Sequence, residues 1–297
     1  MKKKIVSLLL ILALSACALL FFTACTDDSK KLSFKAEVSF KETHPVERSY
    51  QGAAAYGKYF FQFSDHMENV GVYDIDQGSL LCVRNWEMNE LYHCNNANFG
   101  VKKYEETDEF PLLYVSMENI DAHCALVLRV ARDGNDFTFT RVQTLVYPDP
   151  KESGVYYPNC MIDGENDRVY IMGYTEYSYK KSKSNHIRVT EFALPDYRLA
   201  TAELKTEEAL SSFELDSVTA TQGGLVRNGK IYQVYGFKND ITFRILDPKK
   251  QCYTAVVKLP KHKFKREPEG LAEYNGDFYC ADVSGDVYKF SFTGTEE

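Results

Sequence analysis

One type of hairpin recurs along the chain and limits the folds that it can adopt. Each copy has a polar residue, a small residue, a short apolar strand, a tight turn and a second strand rich in aromatic residues. Clear copies span 50–63, 221–235 and 268–281, and looser ones span 93–116 and 158–172. Two of the turns, Asn228-Gly229 and Asn275-Gly276, are strong β-hairpin signals. Units of this size must pack on their neighbours to bury their apolar faces.

Further strands follow each hairpin. Third strands with alternating polar and apolar residues lie at 70–75, 125–130, 187–194, 242–246 and 286–292, and fourth strands lie, for example, at 138–146 and 254–259. Four-stranded units that recur at intervals of roughly 40 to 65 residues are typical of β-propeller blades. We therefore predict an all-β fold, a β-propeller of four-stranded blades. We count five blades; six blades are an alternative because the longer intervals have room for more strands, and a β-sandwich is the competing fold.

The last unit has three strands before residue 297, and an N-terminal strand is predicted to complete it. Residues 31–40 alternate as a strand does, so they can supply the missing outer strand and close the ring, which hides exposed sheet edges. Residues 32–297 are therefore predicted to form the propeller domain. The chain contains 21 Tyr and 19 Phe, which favours strands over helices. Only 206–213 is predicted to form one or two helical turns.

The amino-terminal segment has the three parts of a secretory signal: Lys2, Lys3 and Lys4, an apolar run at 5–14, and small residues after it. About 20 apolar residues could also span a bilayer. The sequence Phe22-Thr23-Ala24-Cys25 resembles a bacterial lipobox and, if cleaved there, leaves a polar mature terminus. The competing lipobox match ends at Cys17, and cleavage there leaves an apolar mature terminus. We predict a lipoprotein signal peptide at 1–24, lipid attachment (palmitate) at Cys25 with Cys17 as the alternative, and a lipidated tether at 25–31.

The net charge of the chain limits the classes of partner that it can bind, and the spacing of its cysteines indicates how they are used. The formal net charge is −7, and removal of the leader lysines makes the mature chain more acidic. An acidic chain without a basic patch gains no counterion-release affinity, so nucleic acid is excluded as a partner.

The cysteines after the leader are Cys82, Cys94, Cys124, Cys160, Cys252 and Cys280. An even number permits disulfides in an exported protein, but their wide spacing and the lack of a CxxC predict that most are small buried residues.

The repeat aligns one polar residue at the start of each inner strand, and inner strands surround the channel of a propeller. The aligned residues are Gln51, Asn95 or Asn96, Asn159, Gln222 and Glu269, with His93, Tyr157 and Glu267 beside them. We predict that they line one mouth of the channel and bind a ligand or cation. The alternative is that the amides join adjacent blades through buried hydrogen bonds.

The sequence assigns no catalytic residue. No GxSxG nucleophile motif occurs. Paired carboxylates of the glycosidase type remain open, because the acidic residues Asp163, Glu267, Glu269 and Asp282 could meet in the channel, although no spacing selects a pair.

The stretch Glu267-Pro268-Glu269-Gly270-Leu271 resembles a motif of six-bladed propellers of the TolB-like and SMP-30-like type, and Cys25-Thr26-Asp27-Asp28 resembles the start of surface lipoproteins of Bacteroidetes. The resemblance implies a lipid-anchored protein of the bacterial cell envelope, on the periplasmic or surface face of the outer membrane.

Three functions are open, because propellers serve binding, hydrolysis and scaffolding alike. The first is a binding module for a glycan, peptide or envelope protein. The second is a hydrolase or lactonase in the channel, and the third is a structural role in an envelope complex. SMP-30-like enzymes hold a divalent ion with Glu, Asn and Asp, and Glu269, Asn159 and Asn95 match part of that set. Since the Asp is missing, we favour the binding module and assign no cofactor, with calcium as the alternative.

Overall fold

Five antiparallel sheets repeat one strand order around a common axis, with the first strand of each sheet innermost. The structure is a computed structural model and describes residues 33–46, 49–66, 68–86, 93–118, 123–176, 186–216, 220–236, 241–259, 264 and 266–293. The predicted five-bladed β-propeller is confirmed.

The blades follow one another along the chain. Blade 1 has β2 (Tyr50–Tyr56), β3 (Tyr59–Ser64), β4 (Asn69–Asp74) and β5 (Ser79–Asn85). Blade 2 has β6 (His93–Phe99), β7 (Leu113–Glu118), β8 (His123–Asp133) and β9 (Asp136–Val146). Blade 3 has β10 (Tyr156–Asp163), β11 (Arg168–Tyr174), β12 (His186–Ala193) and β14 (Ser211–Asp216). Blade 4 has β15 (Thr221–Arg227), β16 (Lys230–Tyr235), β17 (Thr242–Asp247) and β18 (Cys252–Lys258).

The N-terminal strand closes the ring as predicted. Blade 5 has β19 (Pro268–Tyr274), β20 (Asp277–Asp282) and β21 (Asp286–Thr293), and β1 (Ser33–Lys41) is its outer strand. β1 pairs antiparallel with β21, from Ser33 opposite Thr293 to Lys41 opposite Asp286. The blade that ends the chain is thus completed by a strand from its beginning.

The alternative of six blades is wrong for the described part of the chain. The eleven-residue strands β8 and β9 occupy much of the first long interval, and the described residues of the second form no additional sheet. A short strand, β13 (Thr201–Glu203), pairs parallel with β9 and widens blade 2 at its outer edge.

The helical turns predicted at 206–213 are present only in part. A 3-10 turn spans Thr206–Glu208, but β14 begins at Ser211. Phe213 and Leu215 alternate with exposed residues and are buried against blade 4, so strand pairing replaces the helix. A short helix, α1 (Pro150–Ser153), begins after Asp149, whose side chain accepts from the Lys151 N–H.

Each interface between neighbouring blades has its own apolar cluster, five in all. Between blades 1 and 2, the rings of Phe61 and Phe137 meet edge to face, with their centroids 5.6 Å apart.

The residues of both predicted Asn-Gly turns have positive φ, as the tightest hairpin turns require. Cys82, Cys94, Cys124, Cys160 and Cys280 are free thiols and, except for half-buried Cys82, are buried as predicted.

No helix within the described ranges is long and apolar enough to cross a membrane. The predicted leader at 1–24 and the tether at 25–31, with Cys17 and Cys25, lie outside the described residues.

Candidate functional site

A β-bulge interrupts the innermost strand of every blade near its first residue. The register shifts skip Gln51-Gly52, Asn95, Tyr157-Pro158, Gln222-Gly223 and Glu269. A bulge changes the direction in which a side chain points along its strand. The five bulges form one row at the end of the channel where the inner strands begin, and we call this end the mouth. Gln51, Asn95, Gln222 and Glu269 lie in this row. Blade 3 has Tyr157 there, and its register places Asn159 one row deeper, level with Asn96.

Asn96 closes the channel below the mouth. Its side chain is fully buried, and Nδ2 donates to the carbonyl oxygens of Cys160 at 3.0 Å and Gly224 at 2.9 Å. Its Oδ1 accepts from the Gly224 N–H at 3.1 Å. Asn98 donates to the same Gly224 carbonyl at 2.7 Å. These bonds join blades 2, 3 and 4 across the axis, so Asn96 has the structural role that was the alternative to ligand binding.

Side chains from the second strands satisfy other inward-facing backbone groups. An inner strand is the edge of its blade, so its free N–H and C=O groups need partners where water is excluded. Gln62 donates to the carbonyl of Gln51 at 2.5 Å, and Gln233 donates to that of Gln222 at 2.9 Å. Ser116 accepts from the Cys160 N–H at 3.2 Å. The mouth is therefore built on a rigid, hydrogen-bonded base.

Glycines let the inner strands approach one another closely. A Cβ on Gly270 would lie 2.5 Å from the backbone nitrogen of Ala53, and one on Gly223 would lie 2.5 Å from the carbonyl oxygen of Glu269. No side chain fits at those distances. This close approach brings the bulges of blades 4, 5 and 1 together at the mouth.

Two side-chain pairs lie at the mouth. Gln222 donates to Glu267 at 2.7 Å, joining blade 4 to the segment that enters blade 5. His93 Nδ1 is hydrogen-bonded to Asp65, and the two side chains are 42% and 12% exposed. The Cys94 N–H donates to the Asp65 carbonyl at 3.0 Å, which fixes this segment of blade 1 against β6.

Asp65 was not selected from the sequence. It directly follows the second strand of blade 1, and Asp282 ends the second strand of blade 5. An acidic residue at the end of a second strand was therefore the signal that could have identified it.

Acidic groups surround the buried carboxyl of Glu269. Burial raises the pKa of Glu269 well above its usual range, and the negative charges of Glu267, Asp65 and Asp282 raise it further. The three charged groups that shift this pKa are thus all acidic. The mouth can stabilise a positive charge brought by a ligand, because such a charge would offset this repulsion.

The acidic residues named from the sequence do not all meet. Glu267, Glu269 and Asp282 share the mouth, whereas Asp163 ends β10 at the opposite side of the propeller and accepts from Asn166 at 2.8 Å. Gln51 and Asn159 are buried, while His93, Asn95, Gln222 and Glu267 are partly exposed. The partly exposed residues are those that a ligand can reach.

The residues present do not fit the calcium set of SMP-30-like enzymes. Among the described residues, no three His, Cys, Asp or Glu side chains are placed to hold one metal ion. Asn96 cannot serve as a ligand through Oδ1, since that atom accepts from Gly224. Asn159 Oδ1 is buried and has no hydrogen bond within the described ranges, but one free amide oxygen is too small a set for calcium.

No protein-family model and no curated protein sequence matches the chain. The structure is similar to glutaminyl cyclase from Myxococcus xanthus, with 12% identity, a TM-score of 0.51, and coverage of 88% of this chain and 97% of that chain. It is also similar to the PQQ-bound aldose sugar dehydrogenase from Streptomyces coelicolor, with 10% identity, a TM-score of 0.50, and coverage of 89% and 99%. Both are β-propeller proteins, and at this identity the likeness shows the fold alone.

Proposed function

We propose that this chain is an exported, lipid-anchored binding protein whose propeller mouth binds a ligand through a cationic group. The observation that carries the proposal is the set of acidic side chains near buried Glu269, since Glu267, Asp65 and Asp282 each raise its pKa. An ammonium or guanidinium group would pair with these carboxylates and relieve their repulsion. The ligand class is therefore an amine-bearing glycan or a peptide with a free amine.

The mouth is suited to binding because hydrogen bonds already hold its polar side chains in place. Glu267 is fixed by Gln222, and Asp65 is fixed by His93. Groups held in place before binding lose little conformational entropy when the ligand arrives. The hydrogen-bonded base formed around Asn96 keeps the five bulges in register.

Matched ligand pairs test this proposal. We expect a glucosamine oligomer to bind more tightly than its N-acetylated form, and a tripeptide with a free amino terminus to bind more tightly than its acetylated form, as measured by calorimetry. Glu267→Gln keeps the hydrogen bond to Gln222 but removes a charge, so affinity for the cationic member should fall about five- to tenfold.

Glu165→Gln is the control. Glu165 is exposed in the turn between β10 and β11, at the far side of the propeller, so its loss should leave affinity unchanged. Equal affinity for the charged and the acetylated member of both pairs would contradict the proposal.

A hydrolase in the channel is the second candidate, and the His93–Asp65 pair favours it. A carboxylate that orients an imidazole is the arrangement of a general base, and the His93 side chain is half-exposed at the mouth. Chromogenic glycosides and lactones are the substrates to test. Turnover that is lost in His93→Ala and retained in Glu165→Gln would establish an enzyme, and turnover equal to that of buffer would exclude one for these substrates.

Anchoring is tested separately. We expect Cys25→Ser to move the protein from the membrane fraction to the soluble fraction and to remove the acyl mass from the amino-terminal peptide. Cys17→Ser should leave both unchanged. The reverse result would assign the lipid to Cys17.

A further inference from the structure

A buried carboxyl group lies at the seam where the ring closes. Glu42 directly follows β1 and is 3% exposed. Its N–H donates to the carbonyl of Gly285 at 2.7 Å, and a Cβ on Gly285 would lie 3.1 Å from the Glu42 Cβ. The residue that follows the closing strand therefore packs on the turn between β20 and β21.

A second buried carboxyl group faces this seam. Asp282 ends β20 and is fully buried. Its Oδ1 accepts from the N–H and hydroxyl of Ser284 at 2.8 and 2.7 Å and from the Asp286 N–H at 3.2 Å. Its Oδ2 and both carboxyl oxygens of Glu42 are buried and have no hydrogen-bond partner among the described residues.

Among the residues that the structure describes, the groups that face Glu42 are acidic or neutral. Tyr50 donates to the His44 carbonyl, and the Tyr73 hydroxyl accepts from the Thr43 and His44 N–H groups. The Lys41 side chain is 67% exposed and pairs with Asp286 at 3.9 Å, on the outside of the seam. Within the described part of the chain, the titratable groups near Glu42 or its partner Asp282 are Tyr50, Tyr73, His44, Asp286, Cys280, Tyr288 and Glu269.

We propose that Glu42 is a proton-operated latch: it is buried as the neutral acid while β1 is docked on β21, and its ionisation favours release of β1. An ionised carboxylate without a counterion is costly to bury, whereas the protonated form is not. Burial, and next the charge of Asp282, raise the pKa of Glu42 well above its usual range. Burial also raises the pKa of Asp282.

The direction of the pH effect follows from these shifts. The docked state holds the proton more tightly than the released state, in which Glu42 is exposed to water. The contribution of Glu42 to closure is therefore largest below the ordinary pKa of a glutamate and weakens as the pH rises from there to the raised pKa of the docked state. Within that window, the equilibrium for release of β1 rises up to tenfold per pH unit.

Hydrogen exchange of the full-length chain in detergent tests the latch. We expect the opening equilibrium of the β1 and β21 amides, corrected for the intrinsic effect of pH, to rise by up to tenfold per unit above pH 6.5 and less steeply below it, where the titration of His44 opposes that of Glu42. Glu42→Gln, a neutral side chain of the same size, should remove this rise. Glu37→Gln is the control, because Glu37 lies on the same strand with a 56% exposed side chain paired to Lys35, and it should behave as the original chain does.

Asp282→Asn provides a second variant. It should reduce the total rise, because it removes the part of the pKa increase that the Asp282 charge adds. An opening equilibrium with the same pH dependence in Glu42→Gln as in the original chain would overturn the proposal. Loss of the pH dependence on addition of calcium would also overturn it, since the two carboxylates would then hold a cation rather than a proton.

Discussion

Replacement of Asn96 by alanine tests whether one side chain holds the centre of the propeller together. Asn96 donates to Cys160 and Gly224 and accepts from Gly224, so its amide joins blade 2 to blades 3 and 4. The Gly224 carbonyl keeps a donor in the variant because Asn98 also bonds to it at 2.7 Å. The Gly224 N–H and the Cys160 carbonyl lose the Asn96 bond without such a substitute.

The magnitude follows from these two groups. A buried backbone group that loses its partner costs about 1–3 kcal/mol, so two such groups predict a loss of about 2–6 kcal/mol in the free energy of unfolding. We expect a loss of about 3 kcal/mol, in the lower half of this range, because water can enter the space left by the amide. For a domain of this size, the melting temperature should fall by about 6–12 °C.

Denaturant unfolding followed by far-ultraviolet circular dichroism measures this loss. Asn85→Ala is the matched control, because Asn85 is exposed at the end of β5, and it should change stability by less than about 0.5 kcal/mol. A loss in Asn96→Ala as small as that in the control would refute the role of the amide as a bridge between blades. In the double variant with Asn98→Ala, the loss should differ from the sum of the two single losses, because both side chains bond to the Gly224 carbonyl.

Three further predictions concern closure and packing. Gly270→Ala should cost about 1–3 kcal/mol in chemical denaturation, since its Cβ would meet the backbone of Ala53; an unchanged midpoint would contradict the close approach. A chain that begins after residue 40 should lose its cooperative thermal transition, whereas one that begins at residue 27 should keep it. Burial lowers the pKa of His44 from 6.5 to about 4, so it contributes stability that is lost as the pH falls through this window. The test uses the Glu42→Gln background, which removes the opposing titration of Glu42. There, His44→Asn should reduce the acid-induced loss in the free energy of unfolding by roughly 2–3 kcal/mol. An unchanged dependence of stability on pH would contradict this account.

Most of the fold could be predicted from local patterns. Alternation identifies strands, and the Asn228-Gly229 and Asn275-Gly276 turns have the positive φ angles that such hairpins need. The five hairpins, the third strands and the closing strand are all present. The helix predicted at 206–213 gives way to β14 from Ser211, because Phe213 and Leu215, two residues apart, share the strand face that packs against blade 4.

The candidate site could be predicted only in outline. The repeat indicated the row that contains Gln51, Gln222 and Glu269, because it marks where each inner strand begins. It did not indicate that Asn96 rather than Asn95 points across the axis, since a bulge of one residue changes which side chain faces inward. Asp65 escaped selection because it lies outside the inner strands.

By itself, the sequence determined the strand pattern, the turns, the blade repeat and the polar character of the mouth, because these depend on residues within one hairpin. Only the tertiary structure decided that Asp65 meets His93, that Gln222 meets Glu267 and that Glu42 lies near Asp282. These contacts join segments from different blades or from the two ends of the ring. They depend on bulge register, on the approach that glycines permit and on closure by β1, and none of these is specified by the alternation of a single strand.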